Sequence, residues 1–149
     1  MRSVRGLLVV AGTFLAIAVL APWASANSLH PFHLKKECSE FAGSVPSFCT
    51  ITSANVPAIP SGTKVFYLGP VLGNPTTDPN FISSNAIITD GNGNTASGYC
   101  ILLASATGMC AFREGTGMLT GFHASVNVTI DSSGIWHWDG TYLFDRNGH

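Results

Sequence analysis

The residues best equipped for acid–base chemistry lie near the C-terminus, where Trp136-His137-Trp138-Asp139 sets an imidazole and a carboxylate two positions apart. Side chains two apart on a β-strand point the same way. A carboxylate beside an imidazole fixes its tautomer and raises its basicity, as a general base or acid requires. Just upstream, Phe122, Ala124, Val126, Val128 and Ile130 alternate with His123, Ser125, Asn127 and Thr129, a period of two. Pairing the two runs so that their apolar faces coincide, with a turn at Asp131 to Gly134, brings His137 and Asp139 alongside Ser125, Asn127 and Thr129, with His123 farther along. His137, Asp139 and His123 are therefore the expected catalytic residues, and Asn127 an expected ligand contact. The same alternation describes the wet outer wall of a sheet, so the assignment turns on which face points inward.

The opposite face of the last run carries Trp136, Trp138, Tyr142 and Phe144. These rings either line a ligand cavity with Tyr142 as its polar handle, fill a narrow barrel, or face an oligomer interface. Trp136, Trp138 and Tyr142 are taken as ligand contacts. Arg113, beside Glu114 and just before a glycine-rich turn, is placed at a barrel rim, to meet a polar ligand group or to form an exposed ion pair. Gly140 is a candidate bulge that would reverse the parity beyond it.

Other chemistries are excluded by spacing. There is no nucleophile elbow, phosphate loop or dinucleotide fingerprint. Asp90-Gly-Asn92-Gly-Asn94 has the alternate oxygens of a calcium loop, but Thr95 stands where that loop needs glycine and no Glu closes it, so it reads as a hairpin loop. The four cysteines lack the C-x₂₋₄-C pairs of a zinc site. No metal and no cofactor are expected.

These groups must be held by short elements. Runs of β-type residues at 48–52, 64–68, 81–89, 99–104, 109–113, 119–130 and 135–144 are separated by Pro, Gly and Asn clusters, and none shows a helical period. The expected fold is all-β, seven or so strands in a meander closed into a small antiparallel barrel, with a β-sandwich as the alternative. Cys100 and Cys110 lie symmetrically about Ser105, so a hairpin turning there puts them directly opposite, which pairs Cys38 with Cys49.

The chain opens with Arg2 and Arg5, an apolar run from Leu7 to Leu20, and Ala24-Ser25-Ala26. That order is a secretory signal peptide over residues 1–26, its apolar run of about 14 residues too short for a span of ~20. Residues 27–47 are read as an N-terminal arm tied down by Cys38, and 48–149 as the barrel domain. Loss of Arg2 and Arg5 takes the formal charge from −1 to −3, so no basic stripe for nucleic acid or anionic membrane is present. Charged residues make up only 10% of the chain, and the even cysteine count fits export to an oxidising compartment, extracellular or periplasmic.

The segment Cys110-Ala-Phe-Arg-Glu-Gly115-Thr116-Gly117-Met-Leu-Thr-Gly121-Phe122 resembles the glycine-rich turn before the penultimate strand of the allene oxide cyclase and dirigent barrels. The resemblance covers mainly Tyr99 to Phe144. It implies an eight-stranded antiparallel barrel, often trimeric, around an apolar cavity, and an isomerase, cyclase or coupling-guide activity on a small apolar molecule. The catalytic polar residues of the plant cyclases have no alignable equivalents here, and the four cysteines depart from their pattern. A non-enzymatic secreted binding or interaction module is the alternative function.

Overall fold

Alternation of apolar and polar residues over short runs, broken by turn-forming residues, gives this chain eight strands: β1 (His30–Glu37), β2 (Ser47–Ala54), β3 (Lys64–Tyr67), β4 (Asn80–Thr89), β5 (Thr95–Leu103), β6 (Gly108–Thr116), β7 (Phe122–Ile130) and β8 (Trp136–Phe144). Each pairs antiparallel with the next, and β8 returns to β1, closing a barrel. The sandwich alternative is not realised. The computed structural model describes residues 28–43, 45, 47–69, 80–103 and 105–145; the signal peptide expected over residues 1–26 lies outside them. Among the described residues no helix is long and apolar enough to cross a membrane.

The segment read as an arm is the strand that completes the barrel. Pro31 enters at the second position of β1, where a missing N–H is tolerated. Phe32, Leu34 and Lys36 then point inward and are buried, while His33 and Lys35 face out. β1 pairs with β8 from His30↔Tyr142 to Lys36↔Trp136. Where β2 ends, the Asn55 side chain continues the ladder on the other edge of β1: its Oδ1 accepts from the His33 N–H at 2.9 Å, and its Nδ2 donates to the Pro31 carbonyl at 2.9 Å.

The β7–β8 register is the expected one, with Asn127 opposite Asp139 and Thr129 opposite His137. It runs unbroken through Gly140, so that residue is not a bulge. A Cβ at Gly140 would collide with the Ser125 carbonyl of β7, and glycine there permits the close approach. Both expected disulfides, Cys38–Cys49 and Cys100–Cys110, are formed, the second between residues directly opposite on β5 and β6.

The loop from Asp90 to Asn94 is a hairpin connection. The Asp90 carboxylate accepts the Asn92 N–H at 2.8 Å and the Asn94 side-chain amide at 2.6 Å, bonds that hold its carboxyl below the usual carboxylate range. Asn94 in turn accepts the Met118 N–H at 2.8 Å, and Gly117, at φ +59°, makes the turn into a short 3₁₀ segment, Gly117–Leu119.

Eight strands leave an interior just wide enough for side chains or for one small ligand, and here side chains fill all but one end of it. Phe32, Phe112, Phe122 and Trp138 are completely buried in the lumen, and Val56, Ile59 and Leu119, from the β2–β3 and β6–β7 connections, are buried at one end. Toward the other end a space of about 210 Å³ remains.

Candidate functional site

The alternation that buries Phe32 and Leu34 carries Lys36 into the lumen two residues later, at 2% exposure. Its Nζ meets only sulfur and aromatic rings. It lies 3.3 Å from Cys38 Sγ and 3.4 Å from Cys49 Sγ, both atoms of one disulfide. Ring centres of Tyr67 on β3 and of Trp136 and Trp138 on β8 stand 5.4, 5.4 and 5.3 Å away, within cation–π range. No carboxylate among the described residues pairs with it. Burial without a counter-ion penalises the ammonium form and pulls the Lys36 pKa from 10.5 down to about 7. Burial of Tyr67 acts in the opposite direction on a neutral acid, holding its phenol protonated beyond the ordinary range.

Lys36 is one wall of the 210 Å³ space; the others include Tyr67, Trp136, Phe41, Ile82, Leu102 and both disulfides. Phe41, from the β1–β2 connection, packs edge-on against Tyr67 at 5.5 Å. The lining is otherwise apolar, so the amine and the phenol are the groups that can orient a guest. The lowered pKa makes the unprotonated amine accessible near neutral pH, and an unprotonated amine is both a base and a nucleophile.

The residues expected to carry chemistry lie elsewhere. His137, Asp139 and His123 project from the outer wall, across the sheet from the cavity. His137 and Asp139 do not form a dyad with each other: His137 Nε2 meets Asp131 at 2.8 Å, and Asp139 meets His33 Nδ1 at 2.7 Å. The His137 contact, with the Ile135 and Ser133 N–H groups, holds the Asp131 carboxyl below its usual range. His123 is removed from His137 by six residues of strand, roughly 20 Å. Asn127 is exposed on the same outer wall, opposite Asp139.

Of the expected ligand contacts, Trp136 alone lines the cavity, half-buried. Trp138 is fully buried beneath Lys36 as a core residue, and its indole N–H finds no protein acceptor. Tyr142 belongs to an aromatic cluster with Phe32, Phe122 and Phe144, with ring centres 5.9 to 6.0 Å away. Arg113 is exposed as the extra residue of a β6 bulge, between the pairs Gly98↔Phe112 and Ser97↔Glu114, and forms no ion pair with Glu114.

Lys36 and Tyr67 are the residues that sequence reasoning passed over. The available signal was parity: in His30-Pro-Phe-His-Leu-Lys-Lys36 the second lysine shares the face of Phe32 and Leu34. Compared with known proteins, the chain matches no family model, no curated protein and no solved structure.

Proposed function

We propose that this protein is exported and binds a small, largely apolar molecule in the barrel lumen, with an oxygen-bearing group of the guest directed at Lys36. The observation that carries this reading is the buried, unpaired amine in an otherwise apolar cavity. A charged group held this way opposes folding unless something uses it. The size of the space limits the guest, since a cavity of ~150 Å³ holds benzene; one of about 210 Å³ suits a substituted single ring or a short chain. Export is supported by two disulfides in so short a domain and by the N-terminal signal pattern.

A second reading is an isomerase or cyclase acting on the guest, in keeping with the resemblance of the Gly115–Gly121 turn to the allene oxide cyclase and dirigent barrels. The Lys36 pKa near neutrality favours it, because a proton acceptor works best when its pKa lies close to the ambient pH. His123, His137 and Asp139 have no part in either reading.

The test is direct because Trp136 and Trp138 are the only tryptophans after residue 26. Titration of the processed protein with toluene and benzyl alcohol should saturate a change in tryptophan emission, with benzyl alcohol the tighter of the two and its advantage lost in K36M. Emission unmoved by any single-ring guest would exclude the cavity as a binding site.

A further inference from the structure

We infer that Lys36 is a covalent capture site for carbonyl compounds, condensing with a small aldehyde or ketone to form an imine inside the barrel. The inference rests on the lumen being a binding cavity and names the class of guest it takes. Two ligand chemistries suit an amine, a carbonyl and a carboxylate, and the lining separates them. A buried carboxylate needs several donors to replace its water and brings a second charge out of solvent. Here the cavity offers one amine, one phenol and the Trp136 indole among hydrophobic groups and disulfide sulfur, too few donors to replace a carboxylate's water. A carbonyl asks less: it consumes the nitrogen lone pair and leaves no carboxylate to solvate.

The surroundings of Nζ also favour its unprotonated form, since no counter-ion faces it from β2, β3 or β8, only the Cys38–Cys49 sulfurs and three aromatic rings. In the reaction the nitrogen lone pair attacks the carbonyl carbon and the C=O π pair moves to oxygen. A proton passes from nitrogen to that oxygen, giving a carbinolamine. Loss of water, with a proton delivered to the departing hydroxyl and the nitrogen's remaining proton returned to the group that supplied it, forms C=N. Amine and carbonyl become imine and water, with nothing oxidised or reduced. Tyr67 carries the only hydroxyl among the described residues lining the cavity, and its phenol stays protonated, so it is the group available to protonate the leaving oxygen.

The probe is benzaldehyde, one ring plus one carbon, with sodium cyanoborohydride to reduce the imine to a stable secondary amine while sparing disulfides. The processed protein with both disulfides intact is treated at pH 7 and its lysines compared by peptide mapping. Lys35 and Lys64 are exposed and serve as internal references. Lys36 should be benzylated at least about tenfold faster than either, because of the three it alone lies in the wall of the space that holds the aldehyde. Excess toluene should slow labelling at Lys36 and leave Lys35 unaffected, and Y67F should slow it. Labelling of Lys36 no faster than Lys35, with toluene still changing tryptophan emission, would overturn the imine and leave the cavity standing. Benzoate binding more tightly than toluene, with Lys36 unlabelled, would overturn it in favour of an ion pair. Absence of both labelling and toluene binding would remove both readings.

Discussion

The Lys36 amine lies 5.3 Å from the ring centre of Trp138, an indole that is itself completely buried with its N–H lacking a protein acceptor. Two donors thus share a lumen built mostly of hydrocarbon. Lowering a lysine pKa from 10.5 to about 7 corresponds to roughly 5 kcal/mol of disfavoured charge at about 1.4 kcal/mol per unit, of which the three rings return ~1–2 kcal/mol by contact with the cation. Replacing Lys36 by methionine, similar in length and uncharged, should therefore stabilise the fold by about 2–4 kcal/mol at pH 6. Urea unfolding of both proteins measures this; a less stable K36M would contradict the burial of an unpaired charge.

The pH dependence of stability has two limbs. Between pH 7 and 10.5 the unfolded chain holds the Lys36 proton and the folded chain does not, so stability rises with pH across that window. Tyr67 ionises near 10.0 when unfolded and only at higher pH when folded, so above pH 10 the unfolded chain has lost a proton that the folded chain keeps, and stability falls. Denaturant midpoints should climb from pH 7 toward about pH 10 and then drop. K36M should remove the rise and retain the drop; Y67F should do the reverse.

Asn55 acts as one more rung of the β1 ladder, accepting from the His33 N–H and donating to the Pro31 carbonyl. Asn55→Ala leaves both backbone groups without that partner and should cost about 1–2 kcal/mol. Asn55→Asp keeps the acceptor and loses the donor, so its loss should be intermediate. Thermal unfolding of the three proteins orders them, and an N55A midpoint equal to the parent would show that water replaces the rung.

The outer-wall histidines provide a contrasting pair of variants. His33 and Asp139 meet at 2.7 Å with 63% and 56% side-chain exposure, a surface contact of the kind worth about 0–1 kcal/mol. H137A and D139A should each leave toluene binding and Lys36 labelling unchanged and move stability by less than about 1 kcal/mol. A tenfold loss of labelling in either would tie the outer wall to the lumen.

Much of the barrel is written plainly in the chain. The strict alternation from Phe122 to Ile130, and the symmetric placing of Cys100 and Cys110 about Ser105, fix registers and a disulfide without reference to any distant element. β1 is harder, because its inward positions are Phe32, Leu34 and a lysine, and a lysine suggests solvent until the strand's partners are known. The lumen-lining amine was passed over for the same reason. Polar residues gather on the wet face of an alternating strand, so counting them leads to His137 and Asp139. The buried amine is the single lysine on the apolar face of β1, and nothing local to Lys36 shows that Tyr67 and Trp138 will enclose it.

Because β1 is completed by β8, the surroundings of Lys36 assemble from opposite ends of the domain. Each disulfide joins residues only 11 or 10 positions apart, so both can form within local hairpins. Trp136 and Trp138 arrive about 100 residues after Lys36, across the longest loop closure in the fold. Without that strand, Lys36 loses two of the three rings that enclose it. The enclosure that lowers the Lys36 pKa therefore depends on the strand made last along the chain, and a chain clipped before β8 leaves that amine open to water.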